Sequence, residues 1–312
     1  MKEVLFASTR PFERCENIHA VYEAYSGPKK FVQVDPWRRH SAIRSGAHDL
    51  MVIDEFPTET PGKCIMIWHA IQGGKTIGLD QPNPYYHAWQ SNLMDCIVTS
   101  GHGAVEMFAR CSGLPEEKIL PLGLPRTDDY TWKRKGDGYT VLAGKKSWLY
   151  VPTFRVGNET PMEGIDWEWL DSQMADDEMI AVKAHTMTGS LRIGYRYRHI
   201  VEIASEEPTA PYLCDCDVVI SDYSSVIFDG YLLGKPAVLL EKRKGYTETR
   251  GMYMRYPEQY CSRYCTDERQ LLRMLREATG LNETEREVIR LVADACDGNA
   301  TERVCQLIEG MA

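Results

Sequence analysis

Four parts of the chain carry side chains suited to moving a proton or holding a phosphate. Ile65-Met66-Ile67-Trp68-His69-Ala70 is an apolar run that delivers an imidazole at its end, followed by Gly73, Gly74 and Lys75. An imidazole titrates near neutral pH, so His69 is suited to accept a hydroxyl proton, an effect worth ~10²–10⁴ in rate. A histidine bonded to backbone fits the same pattern. Met179-Ile180-Ala181-Val182-Lys183-Ala184-His185-Thr186 ends in two potential cations. At period two Lys183 and His185 point to one side and could face an anion, although a solvated lysine beside a capped histidine fits as well. Asp217 to Val226 reads as strand, polar turn and helix start. There Ser224 and Ser225, with free amides and the helix dipole, make an anion site or an ordinary cap. Finally, Gly123-Leu124-Pro125-Arg126-Thr127-Asp128 and Val151-Pro152-Thr153-Phe154-Arg155 set Arg126 and Arg155 on loops. The guanidinium suits bidentate phosphate contacts and, equally, a bracing salt bridge.

These residues need strands that end where they begin. Short, non-alternating runs of Val, Ile, Leu and Met predict parallel strands covered on both faces at Val4–Ala7, Phe31–Val34, Leu50–Ile53, Cys64–Trp68 and Cys96–Thr99. The second half repeats the style at Trp148–Val151, Met179–Val182, Val218–Ser221 and Ala237–Leu240. Helices are predicted around Ala104–Cys111, stopped by Gly113 and Pro115, and around Ser225–Leu233, stopped by Gly234-Lys235-Pro236. The last third reads as helical, with capping-box starts at Asp267/Gln270, Asn282/Glu285 and Asn299/Glu302. Alternating strands and helices in two halves imply two open α/β sheets with ligands at the carboxyl ends of the strands. The polar, basic stretch from Lys133 to Lys146 is the expected linker.

Composition narrows the classes. The 312 residues suit two domains. A net charge of −9 argues against a protein that coats nucleic acid, though not against local cationic pockets. No leader and no apolar run of about 18 residues is evident, so the expected place is the cytoplasm. The ten cysteines are scattered, with no Cys-x-x-Cys pair, which predicts buried thiols in a reducing compartment rather than a metal site. Two short motifs fail on inspection. Gly101-His102-Gly103-Ala104-Val105-Glu106 has a carboxylate where a dinucleotide fingerprint needs its third glycine, and Gly74-Lys75-Thr76 has His69 where a P-loop begins.

Taken in order, the segments resemble the CDP-glycerol glycerophosphotransferase family of teichoic-acid primases and polymerases. The resemblance rests on Trp68-His69-Ala70 with Lys75 and Gly78, Gly123 to Asp128, Pro152 to Arg155, and Lys183-Ala184-His185. Ser221-Asp222-Tyr223-Ser224-Ser225-Val226 with Phe228-Asp229, and Arg250-Gly251 with Tyr253, complete it. It implies a GT-B fold: two Rossmann-like domains facing across a cleft, 1–140 for the acceptor and 141–312 for the CDP-activated donor, the last helices packing back on the first domain. It implies transfer of a polyol phosphate, glycerol phosphate before ribitol phosphate, from the CDP-alcohol to an acceptor hydroxyl on a lipid-linked or capsular glycan, releasing CMP. A nucleotide-sugar glycosyltransferase of the same fold is the alternative. By the same analogy His69 and His185 are catalytic, with His69 the base. Lys183, Asp222, Ser224, Ser225 and Arg250 bind the donor, and Lys75, Arg126 and Arg155 contact phosphate or acceptor. No cofactor and no metal ion are expected, the CDP-alcohol being a substrate. A polyprenyl-linked acceptor implies a peripheral position on the inner face of the membrane. Basic residues at 133–135 and 145–146, and Arg192, Arg196 and Arg198 among tyrosines, suit an anionic surface. Departures from the family pattern, Thr186 after His185, Gln72-Gly73-Gly74, and Met254-Arg255 after Tyr253, bear on which donor and acceptor are used.

Overall fold

Apolar runs with no polar alternation can be satisfied only by burial on both faces, and here they pair as two parallel sheets. A computed structural model describes residues 3–35, 41–82, 84, 86–131, 141–142, 144–154, 162–185, 188, 190–191, 193, 196–242, 246 and 250–312. They fall into two compact units, 1–131 with 290–312, and 132–289.

The first unit holds β1 (Val4–Ser8), β2 (Lys29–Gln33), β3 (Leu50–Ile53), β4 (Lys63–Ile67), β5 (Cys96–Val98) and β6 (Ile119–Leu120). Every pairing is parallel, in the order β2-β1-β3-β4-β5-β6. Helices α1 (Glu16–Ala24), α2 (Ser41–Arg44) and α3 (Val105–Ser112) connect the strands. The chain starts at β1, steps out to β2 and returns to the other side of β1 as β3. The loops leaving β1 and β3 therefore diverge, which makes a switch point between neighbouring strand ends.

The second unit holds β7 (Lys146–Tyr150), β8 (Glu178–Lys183), β9 (Ile200–Ile203), β10 (Val218–Ser221), β11 (Ala237–Leu240) and β12 (Tyr264–Cys265). Their order is β12-β11-β10-β7-β8-β9, again all parallel. Here the switch point lies between β7 and β10. Helices α4 (Trp167–Gln173), α5 (Ala210–Asp215), α6 (Val226–Leu232) and α7 (Glu268–Glu277) belong to it; α8 (Glu283–Val292) runs past its end at residue 289, and α9 (Ala300–Met311) belongs to the first unit. The stripe Leu271, Leu272 and Leu275 of α7 closes a core around Trp148, Ile180 and Val182.

Most predicted strands lie within two residues of their expected limits. The elements the sequence reading misses are edge strands of two to four residues (β6, β9, β12) and helices α1, α2, α4 and α5. Much of the predicted linker lies outside the described residues. Capping corrects one expectation. Asp267 accepts from the Gln270 amide at 2.9 Å, and Asn282 and Glu285 form the full reciprocal box at 2.9 and 3.0 Å. Asn299, in contrast, makes no side-chain cap. The amides of Ala300 and Thr301 donate instead to the Asp128 carboxylate at 3.1 and 2.7 Å, a charged acceptor at the positive end of α9. Beside it Gly123 has φ +84°, and a Cβ there would lie 2.2 Å from the Ala295 carbonyl oxygen.

All ten cysteines are free thiols, eight of them buried; burial pushes those of Cys15, Cys96, Cys261 and Cys265 up to about 12. Among the described residues no helix is long and apolar enough to cross a membrane. Arg276 of α7 grips the buried Glu178 of β8 with two bonds of 2.8 and 2.7 Å, and these hold the carboxyl below its usual range against the opposing effect of burial. A lowered carboxylate stabilises the fold at neutral pH and loses that contribution as pH falls through its folded-state value. Glu178→Gln is expected to cost about 1–3 kcal/mol in urea unfolding at pH 7, discounted for the partly exposed guanidinium. The gap between wild type and variant should narrow as the unfolding pH is lowered.

Candidate active site

In the first unit the chemistry gathers at adjacent strand ends. His69 follows β4 by two residues, and Asp54 and Glu55 leave β3, which pairs with β4 through Ile53 and Met66. His69 Nδ1 lies 3.1 Å from Glu55 Oε1 and 3.4 Å from the Asp54 carbonyl oxygen, and the side chain is 28 % exposed. Its ring leans on Trp68 with centroids 4.4 Å apart. Arg10, in the loop after β1, approaches Glu55 at 3.9 Å. Ser8, the last residue of β1, donates to Asp54 Oδ2 at 2.9 Å. Asp54 is 2 % exposed.

The two neighbouring carboxyls are driven apart. Burial pushes Asp54 up, with Glu55 adding to it, while Arg10, His69 and the Ser8 hydroxyl pull only part of the way back. Burial also works to raise Glu55, but His69, its hydrogen bond and Arg10 outweigh it and hold Glu55 below the ordinary carboxylate range. Behind the histidine, the buried Asn17 of α1 donates from Nδ2 to the Trp68 carbonyl at 2.9 Å and accepts at Oδ1 from the Arg126 amide at 3.0 Å. One carboxamide therefore fixes the histidine strand end to the arginine loop. Arg126 itself is buried, 3.8 Å from Glu16, so it braces α1.

In the second unit the switch-point loops are laced together. Ser221 donates to the Val151 carbonyl at 2.5 Å, and Asp222 Oδ1 accepts from the amides of Thr153 and Tyr223 at 2.8 and 2.6 Å. Asp222, 2 % exposed, thus organises the turn. Tyr260 donates to the carbonyls of Ser224 at 2.8 Å and Tyr223 at 3.1 Å, and Tyr256 to that of Asp222 at 3.4 Å. Tyr223 and Tyr264 both donate to Glu241, and Tyr246 stacks on Tyr223 at 4.3 Å. Burial pushes the hydroxyls of Tyr223, Tyr256 and Tyr260 far up and that of Tyr264 to about 12, so they stay protonated donors. The turn hands over to α6 loosely. Ser224 Oγ accepts from the Val226 amide at 3.4 Å, and Ser225 makes no side-chain cap.

The expectation that Lys183 and His185 present themselves alike is corrected. Lys183 ends β8, is 4 % exposed and donates to the Ser205 carbonyl at 3.1 Å. His185, past the sheet, is exposed and lies 5.5 Å from the Phe154 ring. Lys75 and Arg250 are half-buried, one in each unit. Arg155 and Thr186 lie outside the described residues. The rejected dinucleotide fingerprint has a structural explanation: Asp294 accepts from the His102 amide at 2.8 Å, and a Cβ on Gly103 would meet the Leu291 carbonyl at 2.1 Å. A chain segment occupies the space a pyrophosphate would need.

Sequence reasoning missed Asp54, Glu55, Asn17, Glu241 and the tyrosines. Asp54-Glu55 could have been found by the rule applied to His69, since both follow a strand end. Asn17 on a helix face had no such signal. Asn17→Ala removes both buried bonds and leaves the Trp68 carbonyl and Arg126 amide without them. It should cost about 2–4 kcal/mol in urea unfolding.

Comparison with known proteins agrees with this architecture. A family model described as CDP-Glycerol:Poly(glycerophosphate) glycerophosphotransferase matches residues 43–310. The teichoic acid glycerol-phosphate primase of Bacillus spizizenii is 30 % identical over 245 residues, covering 72 % of this chain and 63 % of the relative. The teichoic acid ribitol-phosphate polymerase TarL of Staphylococcus aureus is 25 % identical over 267 residues, covering 77 % of this chain and 47 % of that protein. The chain thus spans about half to two-thirds of the length of these relatives. Among solved structures, the wall teichoic acid polymerase TagF superposes with a TM-score of 0.75 at 17 % identity, covering 99 % of this chain and 89 % of that one. The UDP-GlcNAc 2-epimerase of Neisseria meningitidis follows at 0.62 and 11 %, covering 99 % and 100 %. The fold is of the two-domain GT-B type, and the match over residues 43–310 shows that the chain belongs to the CDP-Glycerol:Poly(glycerophosphate) glycerophosphotransferase family.

Proposed function

We propose that the protein transfers a polyol phosphate from a CDP-activated alcohol to an acceptor hydroxyl and releases CMP. Family membership over residues 43–310 supports the reaction class. The observation that carries the mechanism is the partly exposed imidazole of His69 at the carboxyl end of β4, with Nδ1 turned inward onto Glu55. His69 is the base. It takes the acceptor's hydroxyl proton, the oxygen attacks the β-phosphorus, and the bond from that phosphorus to the bridging oxygen breaks. CMP leaves with the electron pair. Residues 1–140 receive the acceptor and 141–312 the donor.

Ser224, Ser225 and His185 face the donor pyrophosphate, with Arg250 over it. Lys183 adds charge from beneath, and Asp222 acts by holding the turn. Lys75 and Arg155 serve the acceptor side, and Arg126, buried against Glu16, acts there by holding its loop. The relatives' names include glycerol-phosphate and ribitol-phosphate enzymes, and CDP-glycerol and CDP-ribitol are the proposed donors. TagF has also been solved after soaking with CDPG. A lipid-linked glycan acceptor would bring the protein to the inner membrane surface. Arg198 pairs with Asp176 at 2.9 Å and Arg196 pairs with Glu168, so the acceptor is the proposed attachment rather than these arginines.

CDP-glycerol or CDP-ribitol should raise the melting temperature in a panel that includes UDP- and GDP-sugars. Stabilisation by a nucleotide sugar alone would overturn the reading. His69→Ala should slow CMP release by ~10²–10⁴-fold; full activity would remove His69 as the base.

A further inference from the structure

We propose that Glu55 is the positioning residue for His69: its carboxylate holds the Nδ1–H edge of the ring and leaves Nε2 to take the acceptor's proton. This rests on the reading of His69 as the base. Two groups meet Nδ1, Glu55 Oε1 at 3.1 Å and the Asp54 carbonyl at 3.4 Å. A carbonyl oxygen only accepts, and so does a carboxylate, so the proton of the neutral ring belongs on Nδ1. A solvated histidine side chain favours the Nε2–H tautomer, and the loop after β3 reverses that preference. The flat of the ring rests on Trp68, so the edge contact with Glu55 sets the remaining rotation.

Among the described residues, the groups that act on the two carboxyls of the loop after β3, Asp54 and Glu55, are each other, His69, the Ser8 hydroxyl and Arg10 from the loop after β1. The two carboxyls divide their work. Asp54 is sunk behind Ser8 and kept toward its neutral form, while Glu55 is kept charged. Two adjacent carboxyls pushed in opposite directions are a mark of assigned roles. During transfer the hydroxyl proton passes to Nε2, the acceptor oxygen bonds to the β-phosphorus, and the bridging oxygen departs with CMP. The imidazolium left behind faces the Glu55 carboxylate, whose charged form His69 and Arg10 both favour.

The test uses ¹⁵N-histidine-labelled full-length protein, with the His69 ring assigned by its loss in His69→Asn. The neutral ring should show a protonated Nδ1 in wild type and revert toward protonated Nε2 in Glu55→Ala. Glu55→Gln keeps an acceptor oxygen, so it should keep the tautomer. It removes the counter-charge of the imidazolium, so the acid limb of kcat/KM should move to lower pH. In Glu55→Ala, kcat for CMP release should fall ~10²–10³-fold while KM for the CDP-alcohol stays within about twofold. A wild-type ring protonated on Nε2, or a tautomer and acid limb unmoved in both variants, overturns the proposal. A wild-type protein with the Nδ1–H ring, its reversion in Glu55→Ala and no CMP release would uphold the positioning and sink the assigned reaction.

Discussion

A parallel sheet buried on both faces leaves polar side chains few places to gather, chiefly the loops that leave the strands at their carboxyl ends. Among the described residues, most of the candidate site groups obey that constraint. His69 follows β4, Asp54 and Glu55 follow β3, Ser8 ends β1, Lys183 ends β8, and Asp222 to Ser225 follow β10. The strand order then selects among the loops. Between β1 and β3, and between β7 and β10, successive crossovers leave in opposite directions and open room beside the backbone. The His69 cluster of the first unit and the Asp222 turn of the second each lie at or beside one of these places.

Loops so placed would wander without internal bonds, and the buried polar groups supply them. Asn17 joins a helix, a strand end and the arginine loop through one side chain. Asp222 and Tyr260 do the same for the serine turn from opposite sides. A buried polar atom without a partner costs about 1–3 kcal/mol, so a network in which each group answers another has few alternatives of similar energy. The tyrosines suit this task because burial keeps their hydroxyls protonated. Their rings also pack while their tips bond, as in the Tyr223–Tyr246 stack.

The charge distribution follows from the same burial. A net charge of −9 would disfavour a phosphate ligand if the carboxylates were spread evenly. Several are instead committed inside the fold: Glu178 to Arg276, Asp128 to the start of α9, and Asp222 to the amides of Thr153 and Tyr223. Arginines are committed as well, Arg126 to α1 and Arg198 to Asp176. Part of what a sequence count registers as free charge is structural glue.

The apolar runs at Val4, Leu50, Cys64, Val218 and Ala237 were legible because a strand buried on both faces must be apolar throughout, a property of neighbours in the chain. The Trp-His and Asp-Tyr-Ser-Ser segments were legible for the same reason, each being a strand end and the loop that follows. Edge strands such as β9 and β12 were not, since their burial depends on one neighbouring strand and they are short. The sequence by itself determined which loops would carry histidine, lysine and serine. Only the tertiary structure decided that Lys183 is buried while His185 is exposed, that Asp128 rather than Asn299 caps α9, and that Glu55 and Asn17 stand against His69 and its strand. Those choices depend on distances between residues far apart in the chain, which packing sets and spacing along the sequence does not.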